Sequence, residues 1–568
     1  MRGTSTPCGA SSPPGDTSVV RDVRVLCLAT VLALAVVACI GGIVSGAAGG
    51  GGGPGLGDGG ADGGPDGGDG GGSDGGGGSD GGEGSDGGLA IVTFGSDSHR
   101  DGVFVDGAFT RVRLQALAAS GGLKPDSAFA PVIQGRVYAS PLFVERGVNG
   151  KDALFVATEQ NHVYAVDPVT GTILWDTTLG LPVPLSQLGC GNIDPMGVTG
   201  TPVIDVTRGL MVLDAEVDQT ASGPAHHTLF GLTLATGAVA WSIDIDANVS
   251  GFDTTYQSQR SGLLLLGDTA YVPYGGYFGD CGANWGWVMG LPLSTPTASA
   301  LFHYRTPGQG GAIWSPAGIA SDGASIFAVT GNGEGNQPTW ASGDSDALLR
   351  LSTSLVFSGN ATDYFAFHDW QAVSAADGDL GSNGTVLFDL PGAGSGHLAL
   401  VIGKSKNAWL LDRDNLGGIN NPDNPLAELD GIATDDASGS MATYQAASGR
   451  YVVYTAPCPN GKGLGLLKIN PGHPPTITQP VPCLDQGANG VDQGGAPIVT
   501  TPDGTTDFVI WGTGAGGDSQ LHAFDGETGA ALVSSTGAQG AIHWVAPLVA
   551  KGTIYLPGNG TVYAFRVR

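Results

Sequence analysis

The stretch Val163-Tyr164-Ala165-Val166-Asp167-Pro168-Val169-Thr170-Gly171-Thr172-Ile173-Leu174-Trp175 decides the fold. Two strand-length apolar runs flank a turn in which Pro168 fixes one backbone dihedral, Gly171 supplies a positive one and Asp167 bonds nearby backbone. The same turn recurs as Ala235-Thr236-Gly237, with Trp241 four residues on as Trp175 follows Gly171. It recurs again as Asp525-Gly526-Glu527-Thr528-Gly529, with Val533 in the tryptophan's place. Upstream of the first copy, residues 138–144 and 153–157 supply two more short apolar runs, so the repeating unit is four short strands.

Working outward, first strands are expected near Pro141, Pro202, Gly262, Ala317, Thr385, Ala446, Pro497 and Pro547, which makes eight units. The last unit, over residues 545–567, is one strand short. An amino-terminal strand near residues 90–94 is expected to complete it and remove the free sheet edges. The fold class is therefore all-β: an eight-bladed β-propeller of four-stranded antiparallel blades over residues 89–568, closed by an N-terminal strand.

The net charge of −29 excludes a nucleic-acid partner, which needs clustered Lys and Arg. Charged residues are only 13% of the chain against 100 glycines, a mixture suited to short strands and many turns. Arg21 and Arg24 precede an apolar run over residues 25–37, and Val36-Val37-Ala38-Cys39 follows the pattern of small residues before a cleavage site. This stretch resembles a bacterial lipobox, which implies an export signal over residues 1–38 and lipidation of Cys39. The alternative is an uncleaved transmembrane anchor, since residues 40–44 extend the apolar run. Either way the rest of the chain is exported: tethered by lipid to the cell envelope at the outer membrane, or extracellular. Residues 39–88 are almost all Gly, Asp and Ser, a flexible spacer with a reach of roughly 35–40 Å.

The Ala-Val-Asp-x-x-Thr-Gly-x-x-x-Trp pattern resembles the tryptophan-docking motif of the pyrroloquinoline-quinone (PQQ) repeat family, which includes quinoprotein dehydrogenases and a barrel-assembly lipoprotein. The resemblance implies that Trp175 and Trp241 dock one blade on the next. It also carries a catalytic suggestion. Thr330-Gly331-Asn332-Gly333 followed by Pro338-Thr339-Trp340 is similar to the family segment whose Asn binds Ca²⁺, with Asp344 or Asp346 in the place of the general base. Gly403-Lys404-Ser405-Lys406-Asn407 is similar to the strand whose Lys approaches the quinone, so Lys404 or Lys406 would take that role. Against this, the chain has no adjacent Cys-Cys pair and no Cys-x-x-Cys-His.

Once Cys8, Cys27 and Cys39 are set aside, Cys190, Cys281, Cys458 and Cys483 remain, an even number in an exported chain. Cys190 falls in a blade-to-blade connection and Cys281 in a second-to-third-strand loop, two loop types that share one propeller face. Cys458 and Cys483 fall in the same two types in the sixth unit. The expected bridges are thus Cys190–Cys281 and Cys458–Cys483. Long loops on that face carry Tyr274, Tyr277, Trp285, Trp287 and Trp340, which either stack on a sugar or quinone or pack the loops themselves. His226 and His227 are adjacent and point apart on extended backbone, which suits surface imidazoles better than paired metal ligands. Weighed together, these features favour an exported, monomeric, non-catalytic binding or scaffolding module for an envelope protein or saccharide. The alternative is a PQQ- and Ca²⁺-dependent alcohol or sugar dehydrogenase, and a hydrolase is a third class.

Overall fold

The computed structural model describes residues 88–567 apart from 221–223, 335–336, 420–424, 435, 459–460 and 486–493. The expected export signal, Cys39 and the spacer up to residue 87 lie outside the described residues.

Eight sheets follow one another along the chain, antiparallel except that Val103–Val105 and Gly418–Ile419 each add a parallel strand at an edge. Blade one is Leu142–Val148, Lys151–Ala157, His162–Val166 and Ile173–Thr178, hydrogen-bonded in that order. Blade two repeats the order with Val203–Asp205, Leu210–Asp218, Ala225–Thr233 and Val239–Asp244. Seven of the expected blade starts fall within three residues of the beginning of a first strand. The sixth does not: Ala446 ends Met441–Ala446, because the turn that follows it, with Gly449 at φ +143°, joins first strand to second.

The docking tryptophans act as the motif implies. Trp175 Nε1 donates to Leu234 O at 2.8 Å, and its ring lies against Gly237, where an added Cβ would stand 2.6 Å from the indole. Trp241 differs in its glycine: it covers Gly231, its cross-strand partner in its own blade, and joins the apolar cluster that includes Ile243 of blade two and Leu265 and Leu291 of blade three. Glycine in the turn is therefore a steric requirement of docking.

Ring closure departs from expectation. Ala90–Ile91 does not complete the last blade; it pairs with blade one, Ala90 opposite Val144. Blade eight, of Leu548–Ala550, Thr553–Gly558 and Thr561–Arg566, is closed by residues 123–126 instead. Pro125 bridges Phe565, Asp126 N donates to Ala564 O at 2.8 Å, and the Asp126 carboxylate takes the Arg566 guanidinium. Residues 89–106 have a different job. They pass along the inner strands of successive blades, accepting from Glu145 N, Ile204 N, Ser321 N, Leu387 N, Thr443 N and Val499 N in blades one, two, four, five, six and seven. Arg100, 1% exposed, fills their centre, donating to Thr93 Oγ1, Phe94 O, Leu263 O and Ile319 O at 2.7–2.9 Å. The polar inner backbone of the ring is thereby satisfied by the chain's own amino-terminal segment.

Candidate functional site in the axial pocket

Each inner strand runs from one face of the ring toward this plug: Arg260 precedes Leu263, Trp314 precedes Ile319, and Ser438 precedes Thr443. At the opposite end the strand starts surround a cavity of about 510 Å³. Its lining comes from blade-to-blade connections and second-to-third-strand loops, the two loop types predicted to share a face. Connections from so many blades meet only on the ring's axis, so the cavity is the open mouth of a channel that the plug closes.

Its floor is a chain of contacts. The Arg260 guanidinium stands 4.3 Å over the Trp544 ring, Trp544 meets Trp314 with centroids 5.9 Å apart, and Lys404 Nζ lies 5.7 Å from the Trp314 centroid. Trp314 Nε1 donates to Asp379 Oδ2 at 3.0 Å, and Lys404 Nζ pairs with Asp377 at 2.9 Å and Asp379 at 3.5 Å. Burial pushes the Asp379 carboxyl up to about 6 despite Lys404, with Asp377 and Asp280 adding to the rise. Burial opposes charge on Lys404, but Asp379 and Asp377 outweigh it and hold the ammonium charged.

Arg260 is in a different position. Among the described residues it forms no ion pair; its polar contact is His543 Nε2 at 3.3 Å. Burial, helped by Arg260 and Arg136, lowers His543 to about 3, so this neighbour is neutral. Burial also lowers Arg260 to about 10, partly offset by Tyr138 and Glu159. A guanidinium held charged, facing a cavity and unmatched by a contacting carboxylate, is an anion-binding group.

Of the residues singled out in sequence, Lys404 and Tyr277 line this pocket. Lys406 does not; it takes φ +70° in the turn beyond. Asn332 lies just behind the wall, its Nδ2 donating to Asp377 Oδ1 at 2.7 Å and its Oδ1 accepting from Asp379 N at 3.1 Å. Asp344 and Asp346 are buried away from the cavity: Asp344 accepts from Tyr304 Oη at 2.7 Å, and Asp346 takes the Ser374 hydroxyl. Burial raises them to about 6 and about 7. The acids that line the pocket are Asp280, Asp377, Asp379 and Asp436; Asp377 and Asp379, beside Lys404, lie more than thirty residues further along the chain than Asp344 and Asp346. Tyr274, Trp287 and Trp340 are core residues: Tyr274 Oη donates to Asp214, Trp287 meets Phe252 edge-on, and Trp340 stacks on Tyr364 at 4.1 Å. Trp285 packs under the Arg305 guanidinium at 5.2 Å. Both expected disulfides are present, Cys190–Cys281 and Cys458–Cys483. The first braces the pocket rim, whose lining includes Gly191, Asn192, Gly279 and Asp280. The histidines are not surface groups: His227 is fully buried, with Nδ1 2.5 Å from Asp214, and His226 is half-buried beside Asp244.

Trp314, Trp544 and Arg260 escaped the reading of the sequence, yet a signal was there. Tyr138, Trp314 and Trp544 each stand three residues before an expected first strand at Pro141, Ala317 and Pro547. Repeat register places such residues on the axis.

The family model described as outer membrane protein assembly factor BamB matches residues 117–280. Among solved structures, the quinohemoprotein alcohol dehydrogenase ADHIIG from Pseudomonas putida HK5 superposes at TM-score 0.57 and 13% identity, covering 84% of this chain and 80% of that one. The chain folds as a PQQ-repeat propeller. A europium-containing methanol dehydrogenase gives TM-score 0.52 at 14% identity, covering 83% and 90%. No curated protein matches. At these identities the likeness shows the PQQ-repeat fold alone.

The calcium–quinone pair of that fold was tested against the residues present. Calcium takes six to eight oxygens at about 2.3–2.6 Å. Here the space between Asp377 and Asp379 is held by the Lys404 ammonium, and both ends of the Asn332 carboxamide are committed to those two residues. The two indoles are inclined at 44° to each other and offer no parallel slot for a flat cofactor. The arrangement does not fit the pair.

Proposed function

We propose that this chain is an exported, envelope-tethered PQQ-repeat propeller whose axial pocket captures a small carboxylate-bearing ligand, with uronic-acid saccharides as the leading class, and does no chemistry on it. The observation that carries this reading is Arg260: a cation in a cavity of about 510 Å³, set between neutral His543 and the face of Trp544. Lys404, by contrast, is neutralised by two acids and serves to hold the Asp377–Asp379 wall.

The test is tryptophan fluorescence during titration with galacturonate oligomers, and separately with PQQ plus Ca²⁺ alongside dye-linked alcohol oxidation. Saturable quenching by the uronate is expected. Arg260→Gln should weaken it about 10- to 100-fold, the range for one charge-assisted hydrogen bond. Equal binding by wild type and Arg260→Gln, or no binding, overturns capture by Arg260. Quinone binding with turnover that disappears in Asp379→Asn makes the protein a dehydrogenase.

A further inference from the structure

On the pocket face of blade two, outside the axial cavity, His226 near the start of Ala225–Thr233, Asp244 at the end of Val239–Asp244 and Asp246 in Ile245–Asn248 turn toward one another. One ligand atom from each lies within 4.8 Å of the others, and all three side chains are half-buried. Among the described residues this is the one group of three or more His, Cys, Asp or Glu that converges so closely.

The backbone braces both carboxylates. Asp244 Oδ1 accepts from Ala247 N at 2.9 Å, which leaves Oδ2 to face His226 Nδ1 at 2.6 Å. Asp246 accepts from Thr254 N, Thr254 Oγ1 and His227 N at 2.6–2.9 Å. Such outer contacts orient and stiffen ligands. The charge is uncompensated: among the described residues no Lys or Arg pairs with either acid, and the nearby His227 ring is committed to Asp214 and Gln257 O. The two carboxylates of this half-buried site repel each other in the absence of a cation, and a divalent one would draw both carboxylates and the imidazole together. Imidazole among the donors selects a transition metal over calcium or magnesium.

We propose that His226, Asp244 and Asp246 form a three-ligand binding site for a divalent transition metal of the zinc class, with a fourth position open to solvent. Tetrahedral zinc with bonds of about 2.0–2.2 Å separates its ligand atoms by about 3.3 Å. The His226–Asp244 hydrogen bond must therefore open by somewhat under 1 Å, and any separation longer than that, at most 4.8 Å here, must close toward the same value. Metal binding would also tighten the pocket wall, because Asp246 anchors Thr254, whose carbonyl accepts from Tyr277 Oη at 2.8 Å.

The experiment uses the full chain, stripped with EDTA and titrated with zinc against a chromophoric chelator. One zinc per chain at micromolar affinity or tighter is expected, with affinity falling at least tenfold in His226→Ala and in Asp246→Asn. Asp246→Asn keeps the shape of the side chain, and near-ultraviolet dichroism of both metal-free variants checks the fold. His397→Ala removes a different, exposed His–Asp pair and should change nothing. Cobalt provides a second readout: intense visible absorption from a low-coordinate site, lost in His226→Ala. No saturable zinc binding below about 100 µM, or binding unchanged in His226→Ala, overturns the proposal.

Discussion

Glu216 shows how strongly single residues here are tuned by burial. It is 1% exposed, with the His227 ring nitrogen 3.6 Å away and the Tyr277 hydroxyl close by. Burial raises its carboxyl to about 8; His227 opposes the shift, and Glu159 and Asp214 add to it. His227 goes the other way from its burial: Asp214, above all, brings it to about 10. At neutral pH, Glu216 is thus mostly protonated beside an ionised His227–Asp214 pair. Because its folded value lies above the unfolded one near 4.5, stability from this group is fully present below pH 4.5 and is lost as pH rises toward and through 8. Glu216→Gln should therefore leave the melting temperature nearly unchanged at pH 5 and raise it by a few degrees at pH 9. Melts of both proteins across that range check it; a variant equally destabilised at every pH would show that the carboxyl has a structural partner. The residue scale is also where the sequence was hardest to read. Lys404 was legible because a motif surrounds it. Asp377 and Asp379 were not, since their role comes from a loop that folds back over Asn332 from more than forty residues away.

The two disulfides separate local bracing from global stability. Cys190–Cys281 spans 91 residues and joins the blade one-to-two connection to a blade-three loop at the pocket rim. Cys458–Cys483 spans 25 residues inside blade six, near the ends of Gly449–Cys458 and Thr476–Asp485. Chain-entropy reasoning gives about 3.5 kcal/mol for the shorter loop and about 4.6 kcal/mol for the longer one. Replacing either pair with serine should lower the melting temperature. Only Cys190→Ser/Cys281→Ser should also weaken pocket binding, because Gly279, Asp280 and Asn192 lose their common anchor. Melting and fluorescence titration of the two double variants measure this directly, and equal binding losses would sink the distinction. Elements were the most legible scale, because blade hairpins declare themselves through turn glycines that docking tryptophans require. The Trp175–Gly237 contact is a case where residue type, spacing and packing all say the same thing. The closing strand was misplaced for the opposite reason. Residues 90–94 and 123–126 are both short, and nothing in their composition tells which one meets Phe565.

At the scale of the whole molecule, that amino-terminal path makes a ring into a cup. Residues 89–106 give inner-strand amides in six blades their acceptors, and Arg100 satisfies carbonyls in blades three and four. Residues 123–126 close blade eight independently of that plug. The two roles can be separated by truncation. A chain starting at Leu89 keeps both and should melt with the full-length protein. A chain starting at Ala108 keeps the blade-eight closure and the helix Arg111–Ala119, but leaves the Glu145, Ile204, Ser321, Leu387, Thr443 and Val499 amides without their acceptors. Each lost bond is worth about 1 kcal/mol, and water entering the emptied axis replaces only part of it. The shorter chain should therefore melt several degrees lower, with exchange protection lost first at those six amides while the amide of Asp126 stays protected. Loss of protection at Asp126 as well would mean that plug and closure form one cooperative unit. An unchanged melting temperature would mean that the ring is held by blade packing alone and the plug merely occupies its axis.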